Sequence, residues 1–419
     1  SRYDIVVYGA TGVTGVVIVR MLATEELFKG KSIAVAGRNR GKLRWALEEI
    51  AQDTGNKDVR DFPIIEADNS NEESLANMAK KAKVIINAVG PYTLYGEAVI
   101  RAAVENGANH VDVSAENAFI EGMALKYGDL AKKNGVYIVG ACGLCAIPND
   151  LGIDYMKRYF DGTLGYVETC LRLNRGPSGY SFNTATCDSL LLGIQSLCEG
   201  GERAVHDALT PQQLPPARHN PPWRCPLTKF KMPSFEGWAM PLVGADKPIV
   251  ERSQYYDYTV NGKRPVQVAT YFSVGSLCQS MLLGLWFFVF GFFAIFSFTR
   301  KYLSTYAETL SFGMFKSSGP SREQQKEASF DCFIFGTGWA VGETANWGTP
   351  TKKMTLKCHG PDPGYAGASV CLTSSALALL DDKDKLPNGG GVFTTASAFR
   401  NTRIFEYMRK MGVSFEVVS

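Results

Sequence analysis

Short runs of apolar and β-branched residues recur along the first third of the chain, separated by segments in which apolar positions have helical spacing. Such runs are typical of strands that are buried on both faces of a parallel sheet. Strands that alternate with helices predict an α/β fold with a doubly wound parallel sheet. The predicted strands are residues 4–8, 32–36, 63–67, 84–89, 110–114 and 136–140, and helices are predicted at 72–81 and 97–106.

The first predicted strand runs directly into a glycine-rich turn, residues 9–15 (GATGVTG), and a helical pattern follows. Glycine lets the backbone approach a pyrophosphate, and the helix then presents unpaired N–H groups to the anion. The spacing G-x-x-G-x-x-G varies from the commoner G-x-G-x-x-G, so the context of strand, turn and helix carries the prediction of a dinucleotide site. A tight turn without a ligand is the alternative. The predicted contacts are Gly9, Thr11, Gly12, Val13, Thr14 and Gly15.

The end of the second predicted strand indicates which dinucleotide is bound. NAD-selective sites place an acid there to accept from the ribose 2′-hydroxyl, whereas this chain has Arg38. A guanidinium pairs with a 2′-phosphate through two parallel hydrogen bonds, so NADP(H) is the predicted cofactor and a solvated basic turn is the alternative. The other predicted cofactor contacts are Asn39, Lys42, Asp68 and, along the nicotinamide half, Asn87, Gly90 and Pro91.

Seven motifs follow one another along the chain: GATGVTG (9–15), AGRN (36–39), NAVGPYTLYGE (87–97), HVDVSAE (110–116), IPNDLG (147–152), GPDPGY (360–365) and GGVFTTASAF (390–399). Taken in order, these motifs resemble the saccharopine dehydrogenase family, in particular its saccharopine dehydrogenase-like oxidoreductase branch. The resemblance covers nearly the whole chain. It implies an NADP-binding Rossmann domain (residues 1–150, completed by 385–419) and a second mixed α/β domain (residues 151–384). Animal members are associated with lipid droplets and membranes, and related bacterial proteins look like reductases of lipid intermediates.

The chain departs from the family pattern after the sixth predicted strand. Many relatives read Gly-Phe-Asp-Ser-Ile-Pro where residues 143–148 read GLCAIP, so Cys145 and Ala146 replace an acid and a hydroxyl. A Ser-Gly-Glu pattern likewise becomes Ser114-Ala115-Glu116. If the missing acid takes part in catalysis, the replacement removes activity, and this keeps a non-catalytic alternative open.

Hydride transfer needs a proton donor or charge stabiliser beside the nicotinamide. Because ligands bind outside the carboxyl ends of the strands, the candidates follow the fourth to sixth predicted strands. Two of them are the predicted catalytic residues: Tyr95 as a proton donor, with Gly96 leaving room for a substrate, and Glu116, which orients a substrate or, alternatively, caps a helix. No metal site is predicted, since the Cys-x-x-Cys pair has no second pair and no nearby His. The full candidate set is Tyr92, Tyr95, Glu97, Asp112, Glu116, Cys142 and Cys145.

One long segment, residues 265–299, carries no Asp, Glu, Lys, Arg or His. A strand is predicted at 267–274, and a helix over 276–298 would be about 35 Å long, against about 30 Å for a bilayer core. Basic residues flank the segment on both sides and give no orientation bias. We therefore predict that residues 275–299 form a hairpin bent near Gly284 or Gly291, or a helix that enters one leaflet of a membrane or droplet monolayer. An interface in a homo-oligomer is the alternative.

The overall charge narrows the range of partners. A formal net charge of +3, without an extended basic stripe, does not favour a nucleic-acid partner. The predicted function is an NADP(H)-dependent oxidoreductase, acting as a reductase of an apolar or lipid-linked substrate. It would work at a lipid droplet or on the cytosolic face of an intracellular membrane, the endoplasmic reticulum or alternatively the mitochondrion. A droplet-associated scaffold or redox sensor, and a saccharopine-type amino-acid dehydrogenase, are the alternative functions.

Overall fold

The computed structural model describes residues 1–144, 146–343 and 348–419. The elements before residue 160 alternate between strand and helix, as the apolar pattern predicts. The strands are β1 Tyr3–Tyr8, β2 Ile33–Gly37, β3 Ile64–Glu66, β4 Ala82–Asn87, β5 Asn109–Asp112 and β6 Tyr137–Val139. The helices are α1 Val13–Thr24, α2 Arg40–Thr54, α3 Glu72–Lys80, α4 Tyr92–Asn106, α5 Asn117–Lys133 and α6 Ile147–Tyr159.

The rest of the chain contributes long strands and several helices of very different burial. Its strands are β7 Thr163–Asn174, β8 Phe182–Asn183, β9 Thr228–Met232, β10 Phe235–Pro241, β11 Gln267–Ser273, β12 Phe315–Lys316, β13 Ser329–Trp339, β14 Lys352–Pro361, β15 Gly391–Phe393 and β16 Ser414–Val417. Its helices are α7 Thr184–Glu199, α8 Glu202–Leu209, α9 Asp246–Asn261, α10 Leu277–Ala294, α11 Ser297–Thr305, α12 Ala307–Leu310, α13 Arg322–Glu327, α14 Ala368–Asp381, α15 Thr395–Phe399 and α16 Ile404–Lys410.

The first sheet is parallel and has the strand order β3-β2-β1-β4-β5-β6-β15. Its first six strands follow the order of a doubly wound dinucleotide-binding fold. Every residue of β2 is buried, because helices cover both faces of the sheet. The predicted fold class is therefore confirmed, and the order reverses between β1 and β4, where ligands bind in such sheets.

The second sheet is mixed and has the order β16-β14-β13-β7-β11-β10-β9. The central pair β7 and β11 is parallel, and the other neighbours are antiparallel. The chain segments cross between the sheets near the C-terminus, since β15 joins the first sheet and β16 the second. Helix α14 also lies against β4 and β5 of the first sheet. The domain boundaries at residues 150 and 385 stay a prediction.

Buried polar contacts of the IPNDLG segment join α6 to both halves of the molecule. The Asn149 side-chain amide donates to Asp246 Oδ1 of α9 at 2.6 Å. The Asp150 Oδ2 atom accepts from Thr395 Oγ1 at 2.7 Å and from the Ala396 N–H at 2.8 Å. Burial raises the pKa of Asp150 to about 6. These side chains fix α9 and α15 on the first turn of α6.

Among the described residues, two helical segments are long and apolar enough to cross a membrane by length and composition, but their surroundings differ. Helix α10 has a mean hydropathy of 1.9 and is 17% buried. The segment Pro363–Asp381, a π-type turn followed by α14, has a mean hydropathy of 1.2 and is 78% buried. The second segment is therefore a core helix, whereas α10 leaves most of its apolar side chains uncovered.

The chain bends after α10 and not at either predicted glycine, so the predicted bend near Gly284 or Gly291 is wrong. Helix α10 runs through both glycines, and the chain turns at Ile295 and Phe296 before α11 begins. A Ser276 capping box starts α10. At its end, Arg300 Nη1 donates to the carbonyl oxygens of Ala294 and Ile295 at 3.2 and 3.1 Å. Side chains of α11 therefore satisfy carbonyls that the bend would otherwise leave unpaired.

Candidate functional site

Three glycines shape the turn between β1 and α1, each for a different reason. Gly9 has a φ of +86°, and a Cβ on it would lie 2.6 Å from Val89 Cγ2. A Cβ on Gly15 would collide with the Gly9 carbonyl oxygen, so Gly15 lets the helix approach the strand. A Cβ on Gly12 would meet only that same oxygen, at 3.4 Å. The open space in front of Gly12 is where a pyrophosphate approaches the backbone in this fold.

The first turn of α1 is suited to an anion. Its N-cap residue is Gly12, so no side chain caps the helix, and its first turn contains no acid. The amide groups of Val13 and Thr14 therefore lie at a helix N-terminus without a side chain that competes for them. Together with the open space at Gly12, this arrangement fits a dinucleotide diphosphate.

Arg38 follows β2 and is exposed, and the neighbouring acid, Asp68, comes from the end of β3. The Asp68 Oδ1 atom accepts from the Ser70 N–H at 2.9 Å and from its hydroxyl at 2.8 Å. These bonds, with Arg38 nearby, lower the pKa of Asp68. Burial, aided by Asp68, raises the pKa of Tyr8 at the end of β1 to about 12. The residue that follows β2 is thus a cation, Arg38, and the nearby acid Asp68 belongs to the segment after β3. A cation at the end of the second strand is what a 2′-phosphate requires.

Asn39 and Lys42, which are also predicted cofactor contacts, are joined to each other. The Asn39 Oδ1 atom accepts from the Lys42 N–H at 2.9 Å and caps α2. The Asn39 side chain therefore has a structural function that the motif AGRN does not reveal. The Lys42 ammonium lies on an exposed side chain of the first turn of α2, so any contribution to the cofactor comes from that group.

The turn after β4 is held by buried polar groups. The Asn87 Oδ1 atom accepts from the Val89 N–H at 3.1 Å, and its carbonyl oxygen accepts from the Tyr92 hydroxyl at 2.9 Å. The peptide between Gly90 and Pro91 is cis. Because Val89 also contacts Gly9, this turn and the glycine turn form one continuous edge of the site.

Glu116 is the N-cap residue of α5, the position that the capping alternative predicts, but its side chain makes no capping hydrogen bond. Its Oε1 atom accepts from the Tyr92 N–H at 3.0 Å and from the Ser189 hydroxyl at 3.0 Å. Its Oε2 atom accepts from the Ala115 N–H at 3.3 Å. Burial raises the pKa of Glu116. The carboxyl group thus joins the start of α4 to α7. It lies next to the turn after β4, which is predicted to contact the nicotinamide and which we call the nicotinamide edge.

Tyr95 lies on the first turn of α4 with 41% of its surface exposed. Gly96 does not open space for a substrate beside it, contrary to the expectation from sequence. A Cβ on Gly96 would collide with the ring of Phe119, so this glycine lets α4 approach α5. The role of Tyr95 in proton donation stays a prediction.

The remaining candidates separate into a buried group and a surface group. Glu97 accepts from Lys126 and, at 2.9 Å, from the Tyr127 hydroxyl, away from the strand ends. Cys142 is fully buried, and burial raises the pKa of its thiol well above the ordinary value, which disfavours a reactive thiolate. Asp112 is also fully buried. Cys145 lies outside the described residues, while its neighbour Ala146 is buried at the start of α6.

The second half of the chain supplies an opposite wall that sequence reasoning missed. A Cβ on Gly319 would lie 3.5 Å from Val13 Cγ1 and 3.6 Å from the Tyr365 hydroxyl. That hydroxyl accepts from the Asn183 N–H at 2.9 Å. The GPDPGY motif and the loop before α13 therefore face the glycine turn. Ser189 and His110 were also missed, and a histidine inside a strand buried on both faces was the available signal for His110.

Comparison with known proteins agrees with this geometry. Residues 5–139 match the saccharopine dehydrogenase NADP-binding domain. The lipid droplet localized protein of Caenorhabditis elegans is 46% identical over 100% of this chain and 99% of its own length. The saccharopine dehydrogenase-like oxidoreductase of Homo sapiens is 36% identical over 100% of this chain and 97% of its own length.

The chain belongs to the saccharopine dehydrogenase-like oxidoreductase family. Its fold resembles that of a saccharopine dehydrogenase (L-Glu forming) from Saccharomyces cerevisiae, with a TM-score of 0.52, 14% identity and complete coverage of both chains. As a member of this oxidoreductase family the chain binds NADP(H), and the glycine turn and Arg38 fit that cofactor. The individual contact residues stay predictions.

Proposed function

We propose that the protein is an NADP(H)-dependent reductase that acts on an apolar or lipid-linked substrate while it is held at a lipid droplet or an intracellular membrane. The observation that carries this proposal is the position of α7. On one side, Ser189 of α7 contacts Glu116 at 3.0 Å. On the other side, Cys187 and Leu191 belong to the same apolar cluster as Phe290 of α10. Helix α7 therefore lies between the turn after β4 and α10, the helix that carries the uncovered apolar surface.

The uncovered apolar side chains of α10, of the bend after it and of the start of α11 define what we call the apolar face. They are more than a third exposed and include Leu, Phe and Met, whose transfer from water into lipid is favourable. A patch of this kind on a described surface marks a lipid or protein contact. The printed name of the C. elegans relative supports a droplet surface. The face consists of Leu277, Met281, Leu282, Leu285, Phe287, Phe288, Val289, Phe292, Phe293, Ile295, Phe296 and Phe298.

Bound NADPH supplies a hydride for an electron-poor carbon of the substrate. In our proposal Tyr95, which is exposed on the first turn of α4, donates the accompanying proton from its hydroxyl. Glu116 accepts from the Tyr92 N–H of α4 and from the Ser189 hydroxyl, and so holds α7 against the helix that carries Tyr95. An apolar chain on the substrate would extend along α7 towards the apolar face.

The test uses the full chain, NADPH and a triolein emulsion loaded with fractions of a total lipid extract, with NADPH absorbance as the readout. We expect one or more fractions to support NADPH consumption, and we expect Gly12→Val to abolish it because the added side chain occupies the pyrophosphate space. Phe288→Asp combined with Phe292→Asp should reduce turnover on the emulsion. Its control is Trp45→Asp, which changes an exposed aromatic side chain on α2.

A droplet-associated scaffold or redox sensor is the second candidate, and one observation favours it. Glu116 and Asp112, the buried acids nearest the strand ends, already accept hydrogen bonds from the protein itself. NADPH binding without consumption across all lipid fractions would support this function over the reductase.

A further inference from the structure

A buried polar cluster lies beneath the turn after β4, and the proposed chemistry does not use it. Asn87 is the last residue of β4, His110 and Asp112 lie in β5, and none of the three is exposed. The Asn87 Nδ2 atom lies 3.3 Å from His110 Nε2, and His110 Nδ1 lies 3.9 Å from Asp112 Oδ2. Among the described residues, His110 Nδ1 and Asp112 Oδ2 have no hydrogen-bond partner.

The hydrogen bonds fix which atoms of this cluster carry protons. Asn87 Oδ1 accepts from the Val89 N–H, so the Asn87 Nδ2 group must be the donor towards His110. His110 Nε2 must then be the acceptor, which requires a neutral ring with its proton on Nδ1. Burial lowers the pKa of His110 to about 3, in agreement with a neutral ring.

The remaining pair is chemically complementary. His110 Nδ1–H is a donor, and Asp112 Oδ2 is the carboxyl oxygen that faces it without a partner in the described part of the chain, since Oδ1 accepts from the Ser114 N–H, the Ser114 hydroxyl and the Ala141 N–H at 2.9, 2.6 and 3.0 Å. The pairing requires an ionised Asp112, which these three bonds favour, whereas burial raises the pKa of Asp112. The separation of 3.9 Å is longer than a direct hydrogen bond, and because an unsatisfied buried donor is costly, a small approach of the two groups is favoured.

We propose that Asp112, His110 and Asn87 form a relay of positioning residues that sets the turn after β4 for the nicotinamide half of the cofactor. Asp112 selects the His110 tautomer, His110 selects the orientation of the Asn87 amide, and that amide holds the Val89 N–H. Val89 in turn contacts the glycine turn at Gly9. The sequence predicts Asn87 as a cofactor contact, but its side chain is fully buried and both ends of its amide are engaged by Val89 and His110. In this proposal the relay therefore acts through the backbone of the turn. It rests on the nicotinamide placement adopted under the proposed function.

Asp112→Asn tests the relay without changing shape. The new Oδ1 atom keeps the three accepted bonds, but an NH2 group replaces the acceptor that faces His110 Nδ1–H. The ring proton should therefore move to Nε2, where it opposes the Asn87 amide donor, and the amide must turn or lose its bond. Ser114→Ala is the matched control, because it removes a donor to Oδ1 and leaves Oδ2 unchanged.

Two measurements report the outcome. In protein with ¹⁵N-labelled histidine, the ring nitrogen chemical shifts should show that His110 is protonated on Nδ1. The proton should stay on Nδ1 in Ser114→Ala and move to Nε2 in Asp112→Asn. The signals of His110 are assigned by their loss in His110→Gln. Asp112→Asn should also weaken NADPH about tenfold, the effect of one lost buried hydrogen bond, and leave 2′-phospho-ADP-ribose, which lacks the nicotinamide, within about twofold.

An Nε2–H tautomer in the unsubstituted protein would overturn the relay even if Asp112→Asn fails to fold. Equal weakening of NADPH and 2′-phospho-ADP-ribose in a folded variant would overturn it as well. Neither measurement requires turnover, so a failed search for a lipid substrate would leave both unchanged and would count only against the proposed reductase.

Discussion

Helices α10 and α14 are both long and apolar, yet one lies on the surface and the other in the core. The difference follows from residue size more than from hydropathy. Helix α14 (ASVCLTSSALALLD) is rich in Ala, Ser, Thr and Cys, which let it lie closely against β4 and β5. Helix α10 (LCQSMLLGLWFFVFGFFA) carries large side chains all round, and only Ser280, Phe290 and Ala294 are buried.

This comparison shows that an apolar helix needs a partner surface of matching shape as well as low polarity. Small side chains allow close approach to a sheet, whereas rings that project in every direction cannot all be covered by one neighbour. The uncovered rings of α10 remain available for lipid, where no specific shape is required.

The largest expected effect comes from placing a charge in α14. Leu377 is 1% exposed, so Leu377→Asp buries an unpaired carboxylate and should cost about 4 kcal/mol or more, enough to lose the folded protein. The matched control is Leu282→Asp in α10, where 63% of the side chain is already exposed. Thermal unfolding measures the stability of both variants. Equal losses of stability would contradict the claim that α14 is a core helix and α10 a surface helix.

The next effect concerns lipid binding. Phe288 and Phe292 are 73% and 51% exposed, and each is worth about 1.5–3 kcal/mol on transfer from water. Replacing both by Asp should lower partition onto a triolein emulsion by more than about tenfold, with thermal stability kept. Flotation measures the partition. Unchanged flotation, with a parallel change in oligomeric state, would instead assign the apolar face to a homo-oligomer.

A smaller effect is expected where α10 ends. Arg300→Ala removes two hydrogen bonds to the carbonyls of Ala294 and Ile295, and local opening should become easier by about 1 kcal/mol. Hydrogen exchange of the amides around the bend measures this opening. Lys301→Ala removes the neighbouring, exposed cation and should leave the exchange unaltered.

The smallest effect is an expected absence of change. The double Asp variant of Phe288 and Phe292 should bind NADPH within about twofold of the unsubstituted protein, because α10 lies outside the glycine turn. Arg38→Ala is the positive control: it should weaken NADPH by about tenfold or more and spare NADH, since bonds to a charged phosphate are strong. Fluorescence titration measures both cofactors, and a parallel loss of both would remove the selectivity argument.

Local pattern was enough to predict the first six strands of the first sheet and its glycine turn, but not β15, which completes that sheet. The predicted strands 4–8 and 32–36 correspond to Tyr3–Tyr8 and Ile33–Gly37, because a short apolar, β-branched run that ends at a glycine is typical of a buried strand. The position of the bend after α10 could not be predicted from its glycines. A glycine inside a helix costs only about 1 kcal/mol, so Gly284 and Gly291 do not have to interrupt α10. Side chains further along, Thr299 and Arg300, bind the carbonyls that the bend frees.

Contacts between distant segments were also beyond sequence reasoning. Glu116 and Ser189 meet only because α7 crosses the start of α4, and no local spacing encodes that crossing. Gly96 was misinterpreted for the same reason, since its neighbour Phe119 belongs to another helix. The glycines of the turn were predicted more reliably because their constraints lie within one strand, one turn and one helix.

The position of β15 has a consequence for synthesis of the chain. The seventh strand of the nucleotide-binding sheet pairs with β6 but is encoded after α10. During synthesis, the apolar helix α10 therefore emerges before β15 is available to pair with β6. The proposed lipid contact of α10 can therefore form during translation, before the cofactor domain is complete, which would couple lipid attachment to folding in time.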